Sequence, residues 1–152
     1  MRPGATILFA VLLAALTGVA QADADEPPLQ NGAYEVQVRL ELPNVLSWTV
    51  AGSTATICIP ESSPNGALPV LSRNNPLADC EASNVEREGP TLTFDILCEG
   101  RGAAWGKAVY RLMPDAFEGR IAMVMGGKNM TMTEVQSGRR IGSCASAGNA
   151  PG

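Results

Sequence analysis

"AWGKAVYRLMPDAFEGRIAMVMGGKNMTMTE", residues 104–134, contains three short runs in which apolar residues alternate with polar or small ones. Met-Pro-Asp separates the first two runs, and Gly-Gly-Lys-Asn separates the last two. A period of two sends successive side chains to opposite faces of a strand, and Pro-Asp and Gly-Lys are turn-forming pairs. The stretch therefore predicts antiparallel strands over 104–112, 117–125 and 130–136. A two-residue turn at Gly127-Lys128, with glycine first as a type II′ turn requires, sets Met125 opposite Met130 and Met123 opposite Met132. Alternation then gathers these four thioethers on one face with Ile121 and Glu134. Ala122, Val124, Thr131 and Thr133 fall on the other face. A turn at Pro114-Asp115 sets Gly106 opposite Met123 and Ala104 opposite Met125, so small residues face long ones.

The same alternation extends outward to runs at 34–42, 47–59, 80–87 and 91–98, each bounded by Gly, Pro or Asn, with no helical periodicity after Ala22. The expected fold class is all-β: an antiparallel up-and-down meander of about seven strands, curled into a half-open barrel or strongly bent sheet. Trp48 and Trp105 are read as core residues, since no basic patch accompanies them. Residues 60–79 form a twenty-residue connection with prolines at 60, 64, 69 and 76. Loops of that length are commonly functional.

The ends assign a compartment. Arg2, an apolar run over 7–20 and the small residues Ala20-Gln21-Ala22 have the form of a cleaved signal peptide. The apolar run is shorter than the ~20 residues of a membrane-spanning helix. The expected plan is a signal peptide over 1–22, an N-terminal extension over 23–30, one β domain over 31–144 and a disordered tail over 145–152. Losing Arg2 takes the Lys+Arg count from 11 to 10 against 15 acidic residues, a net charge of −5. That sign opposes binding to nucleic acid or anionic lipid, which depends on clustered cations. No stable membrane insertion is expected after cleavage.

Four cysteines in an exported chain read as two disulfides. A hairpin turning about Gly89 sets Cys80 opposite Cys98, close to the separation a disulfide needs. Cys58 then pairs with Cys144 by elimination. No C-x-x-C occurs, so both bridges are read as structural.

Little of the usual catalytic chemistry is present. There is no histidine, no thiol remains once the cysteines are oxidised, and no nucleophile elbow, phosphate loop or calcium loop occurs. Asp95, Asp115 and Glu118 are scattered and read as solvated surface. Glu134 stands apart because alternation places it beside the methionines. Asn129-Met130-Thr131 fits the glycosylation pattern, which matters only in a eukaryotic secretory pathway.

"NGAYEVQVRLELP" near the start of the expected domain, "ATICI", "TLTFDILC" and "GRIAMVMGGKNMTMTEVQSGRRIGSC" together resemble an exported Gram-negative family, domain of unknown function 3617. The Met-x-Met strands and the terminal G-R-R-I-G-x-C are the most specific pieces. The resemblance implies a periplasmic β protein and brings neither an activity nor catalytic residues.

The resulting expectation is a non-enzymatic periplasmic accessory or binding protein without a cofactor. It would hold an apolar small molecule or an envelope protein on the face of Met123, Met125, Met130, Met132 and Glu134, because adaptable thioether surfaces suit apolar partners. One rival is a Cu(I) or Ag(I) carrier using the four methionines, soft ions that prefer thioether sulfur. Another is a structural subunit of an envelope complex, docking through the 60–79 loop.

Overall fold

The run from Ala104 to Leu112 becomes a strand whose residues are alternately buried and exposed along its whole length. Ala104, Gly106, Ala108, Tyr110 and Leu112 point inward, and Trp105, Lys107, Val109 and Arg111 point to solvent. In this computed structural model the described residues are 29–42, 52–61, 66–73, 75–100, 103–125 and 130–144, without the side chain of Met125. The expected signal peptide, Trp48, the Gly127-Lys128 turn, the tail and most of the 23–30 extension lie outside them.

Seven strands form one sheet: β1 (Gly32–Glu41), β2 (Ser53–Ile59), β3 (Glu81–Glu88), β4 (Thr91–Leu97), β5 (Ala104–Leu112), β6 (Ala116–Met125) and β7 (Met130–Gly142). Their order across the sheet is β2-β1-β7-β6-β5-β4-β3, and every pairing is antiparallel. The expected hairpin registers hold: Ala104 faces Met125, Gly106 faces Met123, Met123 faces Met132 and Met125 faces Met130. The last strand runs beyond its expected end at Gln136, because Ser137–Arg139 pair with both β6 and β1 and Gly138 gives room to the Phe117 ring. The second strand begins at Ser53; residues 47–51 of its expected range lie outside the described ones.

Taken as a cycle, the strand order is the chain order. β3 to β7 are a continuous meander, β7 pairs with β1, and β1 pairs with β2, so the cycle is open only between β2 and β3. This has a directional consequence. Counting alternations around the sheet makes β2 and β3 run the same way. The chain leaving β2 must therefore return the full length of a strand, roughly 23 Å for seven residues, before β3 can begin. Residues 60–80 span that return, and its described stretches 66–73 and 75–80 pass through the interior. Leu68, Leu77 and Asn75 are all buried, and Val70 and Leu71 pack against the core.

The core beneath this segment is aromatic and glycine-matched. Tyr34, Phe117, Tyr110 and Phe94 stand in a chain with ring centroids 5.7, 5.9 and 5.8 Å apart. Tyr110 lies across from Gly119 and Phe117 across from Gly138, and a Cβ on either glycine would collide with the facing ring. Each such buried side chain stabilises the fold by about 1.5–3 kcal/mol.

Both expected disulfides are present, Cys58–Cys144 and Cys80–Cys98, with Cα separations of 5.4 and 5.2 Å. One sits just before the return segment and the other at its end. Trp105 corrects its expected place in the core. Its neighbours Ala104 and Gly106 face inward, so the indole stands outward, 53 % exposed, in a cross-strand row with Leu97 and Val124.

Candidate functional site

The inner face has two ends. The end formed by the start of β7 and the finish of β6 carries the methionines. Met123 is 1 % exposed and belongs to the core, Met132 is half-buried, and Met130 at the strand tip is 48 % exposed. The pairing is as the sequence predicts, and the space over Gly106 that could have admitted a guest is filled from within. A Cβ on Gly106 would lie 2.5 Å from Leu77 Cδ1, a side chain of the return segment.

Glu134 anchors that segment. It is 0 % exposed, and four neutral donors meet its carboxylate. Leu71 N and Gln136 Nε2 donate to Oε1 at 2.8 and 2.7 Å, and Asn75 Nδ2 and Ser72 N donate to Oε2 at 2.7 and 3.3 Å. The network continues on both sides. Asn75 Oδ1 accepts from Leu77 N, Gln136 Nε2 also donates to Pro69 O, and Gln136 Oε1 accepts from Tyr110 Oη. No buried side-chain nitrogen or oxygen among the described residues lacks a partner. Burial, and secondarily the charge of Glu134, pushes the Tyr110 phenol far above its ordinary range. A buried carboxylate satisfied by backbone and amide donors organises a loop, so Glu134 works here as the internal anchor of residues 69–77.

The other end holds the vacancy. Between the finish of β2 and the finish of β3 lies a cavity of about 370 Å³. Ile59, Leu68, Val85, Leu92 and Leu112 line it, with Asn31, Glu61 and Arg87 as the polar side chains on its wall. Arg87 Nε donates to Gly89 O at 3.1 Å, which holds the guanidinium near the β3–β4 turn. A volume of this order, mostly apolar walls and few polar groups match the usual composition of a ligand pocket. The inward residues of β1, β4 and β5 are buried, whereas Ile57 and Ile59 of β2 and Ala82 and Val85 of β3 are only partly so. The open seam is thus written into the burial of its edges. Sequence reasoning missed these residues because the cavity draws on β2, β3, β4, β5, the return segment and the residues ahead of β1. The available signal was the return segment, read as a loop rather than as a wall.

Two of the other acidic groups take part in surface pairs. Asp95 meets Asn84 Nδ2 at 2.9 Å and Lys107 Nζ at 3.9 Å on the outer surface. Glu41 bonds Arg120 and Arg39, and its carboxyl is held low chiefly by the Arg120 hydrogen bond. Among the described residues no three His, Cys, Asp or Glu side chains stand together as metal ligands. Among the described residues no helix is long and apolar enough to cross a membrane, and the two disulfides are consistent with a place outside the cytosol.

The geometry defines a class: an open seven-stranded antiparallel half-barrel, braced at both ends by disulfides and plugged by its own crossing segment. A family model described as protein of unknown function (DUF3617) matches residues 29–144. The chain belongs to that family. No curated protein and no solved structure is detectably similar to it.

Proposed function

We propose that this is a non-enzymatic accessory or binding protein of the bacterial periplasm, exported behind a signal peptide cleaved near Ala22. It holds an apolar ligand, or an apolar segment of an envelope protein, in the cavity between β2 and β3. The single observation that carries this reading is that cavity, about 370 Å³ with predominantly aliphatic walls, at the one break in an otherwise closed cycle of strands. Strand β7 supports the site from behind: Glu134 and Gln136 hold the return segment that forms the cavity's inner wall.

Native mass spectrometry of the protein released from periplasm tests the reading. The expected result is a co-purified mass on the wild type that disappears in Val85→Trp, which fills the cavity, while the melting temperature is kept. Capture that survives Val85→Trp but disappears in Met130→Leu/Met132→Leu would return the site to the methionine end.

The cross-strand pairs Met123–Met132 and Met125–Met130 favour a second reading, a soft-cation carrier. One equivalent of Ag(I) retained by the wild type and lost with Met→Leu at all four positions would support it.

A further inference from the structure

We infer that the occupant of the seam is an extended peptide segment of a partner protein, added as a strand along the free edge of β2; this rests on the binding reading above and names its ligand.

The argument starts from direction. β2 and β3 run the same way on either side of the break, so they cannot pair with each other as an antiparallel hairpin. A single strand running opposite to both would complete an alternating cycle. The return segment already runs in that direction, yet among the described residues none of its main-chain hydrogen bonds joins Gly66–Ser72 to either edge. It fills the interior, and among the described residues no strand pairs with the outer edge of β2 or of β3.

The two edges are not equivalent. β3, "EASNVERE", carries Glu81, Glu86, Arg87 and Glu88, and its register breaks between Ser83 and Glu86 around Asn84, whose φ is +50°. Charges and a bulge are the usual protection of a sheet edge against added strands. β2, "STATICI", has no charge, no proline and an uninterrupted register with β1 from Ser53 to Ile59. An unprotected, uncharged edge is a template for strand addition.

The side chains specify what fits. On the inner side the incoming strand meets Ile57, Ile59, Leu68 and Val85, so its inward positions are aliphatic. On the outer side its neighbours on β2 are Thr54 and Thr56, so hydroxyl or small residues alternate with the aliphatic ones. A second copy of this chain is a poorer fit. Its β2 would arrive with β1 bonded behind it, while Ile59 and Val85 on opposite edges line the same cavity of about 370 Å³.

The test uses the wild-type protein and a synthetic peptide matched to the seven residues of β2, with Val and Thr alternating and a lysine added at each end. Two N-methylated forms accompany it, each blocking alternate amides. Expected are 1:1 binding, slowed hydrogen exchange at alternate amides of β2 with none gained in β3, and loss of at least about tenfold in affinity for only one N-methylated form. Binding that both N-methylated forms retain would overturn strand addition while leaving an apolar pocket. So would the absence of peptide binding when an apolar naphthalene sulfonate dye still binds and is excluded by Val85→Trp. Failure of both probes would remove the binding reading itself. A concentration-dependent dimer with the same β2 protection would replace the peptide by a second copy.

Discussion

Converting Glu134 to glutamine leaves its shape and exchanges one acceptor oxygen for an NH2 group. Each carboxylate oxygen receives two donors, so the amide must point its own hydrogens at two N–H groups whichever way it turns. Glu134→Gln should therefore cost about 1–3 kcal/mol in urea unfolding and speed hydrogen exchange at Leu71 and Ser72. A variant as stable as the wild type would refute the anchoring role. Tyr34 and Tyr110 are the only tyrosines of the chain, and burial raises both phenols above their ordinary value of 10.0. The folded protein thus holds these protons more tightly than the unfolded chain does. Their contribution to stability is complete below about pH 10 and declines as the pH rises beyond it. Phenolate absorbance should consequently appear together with alkaline unfolding; a free phenol titrating near pH 10 in the folded state would contradict this. Alternation alone placed Glu134 on the inner face. Its partners Leu71, Ser72 and Asn75 were not legible, because they lie 63, 62 and 59 residues away with no turn to set their position.

Among the elements, the hairpins were readable because a turn and a period of two fix every facing pair. The same logic held for Cys80 and Cys98, and it should have placed Trp105 outside once Ala104 and Gly106 were set inward. The contact between β1 and β7 was not readable: no short turn joins them, and "SGRR" looks like a polar exit rather than the middle of a strand. Its glycine explains the choice. Gly138 and Gly119 leave space for the Phe117 and Tyr110 rings, so Gly→Ala at either position should destabilise by about 1–3 kcal/mol through overpacking. On strand preference alone the same change would stabilise by about 0.5–1 kcal/mol, so the sign of the measured shift decides. Trp105→Thr, on the open outer face, should change thermal stability by no more than about 0.5 kcal/mol.

For the whole molecule, closure through β7 and β1 leaves the seam at β2 and β3, and the two bridges hold the ends of the segment that crosses it. The sequence separations are 86 for Cys58–Cys144 and 18 for Cys80–Cys98. Chain entropy then assigns about 4–5 kcal/mol to the first and about 3 to the second. Equilibrium unfolding of the paired Cys→Ser variants should show that order, and a reversed order would locate the stabilisation in local packing instead. The bridges are also nested, the longer one enclosing the shorter. Under the export proposed above, a chain threaded out from its N-terminus would present Cys58 and Cys80 to an oxidant before Cys98 and Cys144 had emerged, so joining thiols in order of arrival would produce the wrong pair. On that route a reshuffling step is expected, and cells lacking a disulfide isomerase in the compartment should accumulate the Cys58–Cys80 species, visible by peptide mapping without reduction. The yield of this protein would be set less by how fast it is oxidised than by how often its first mistake is undone.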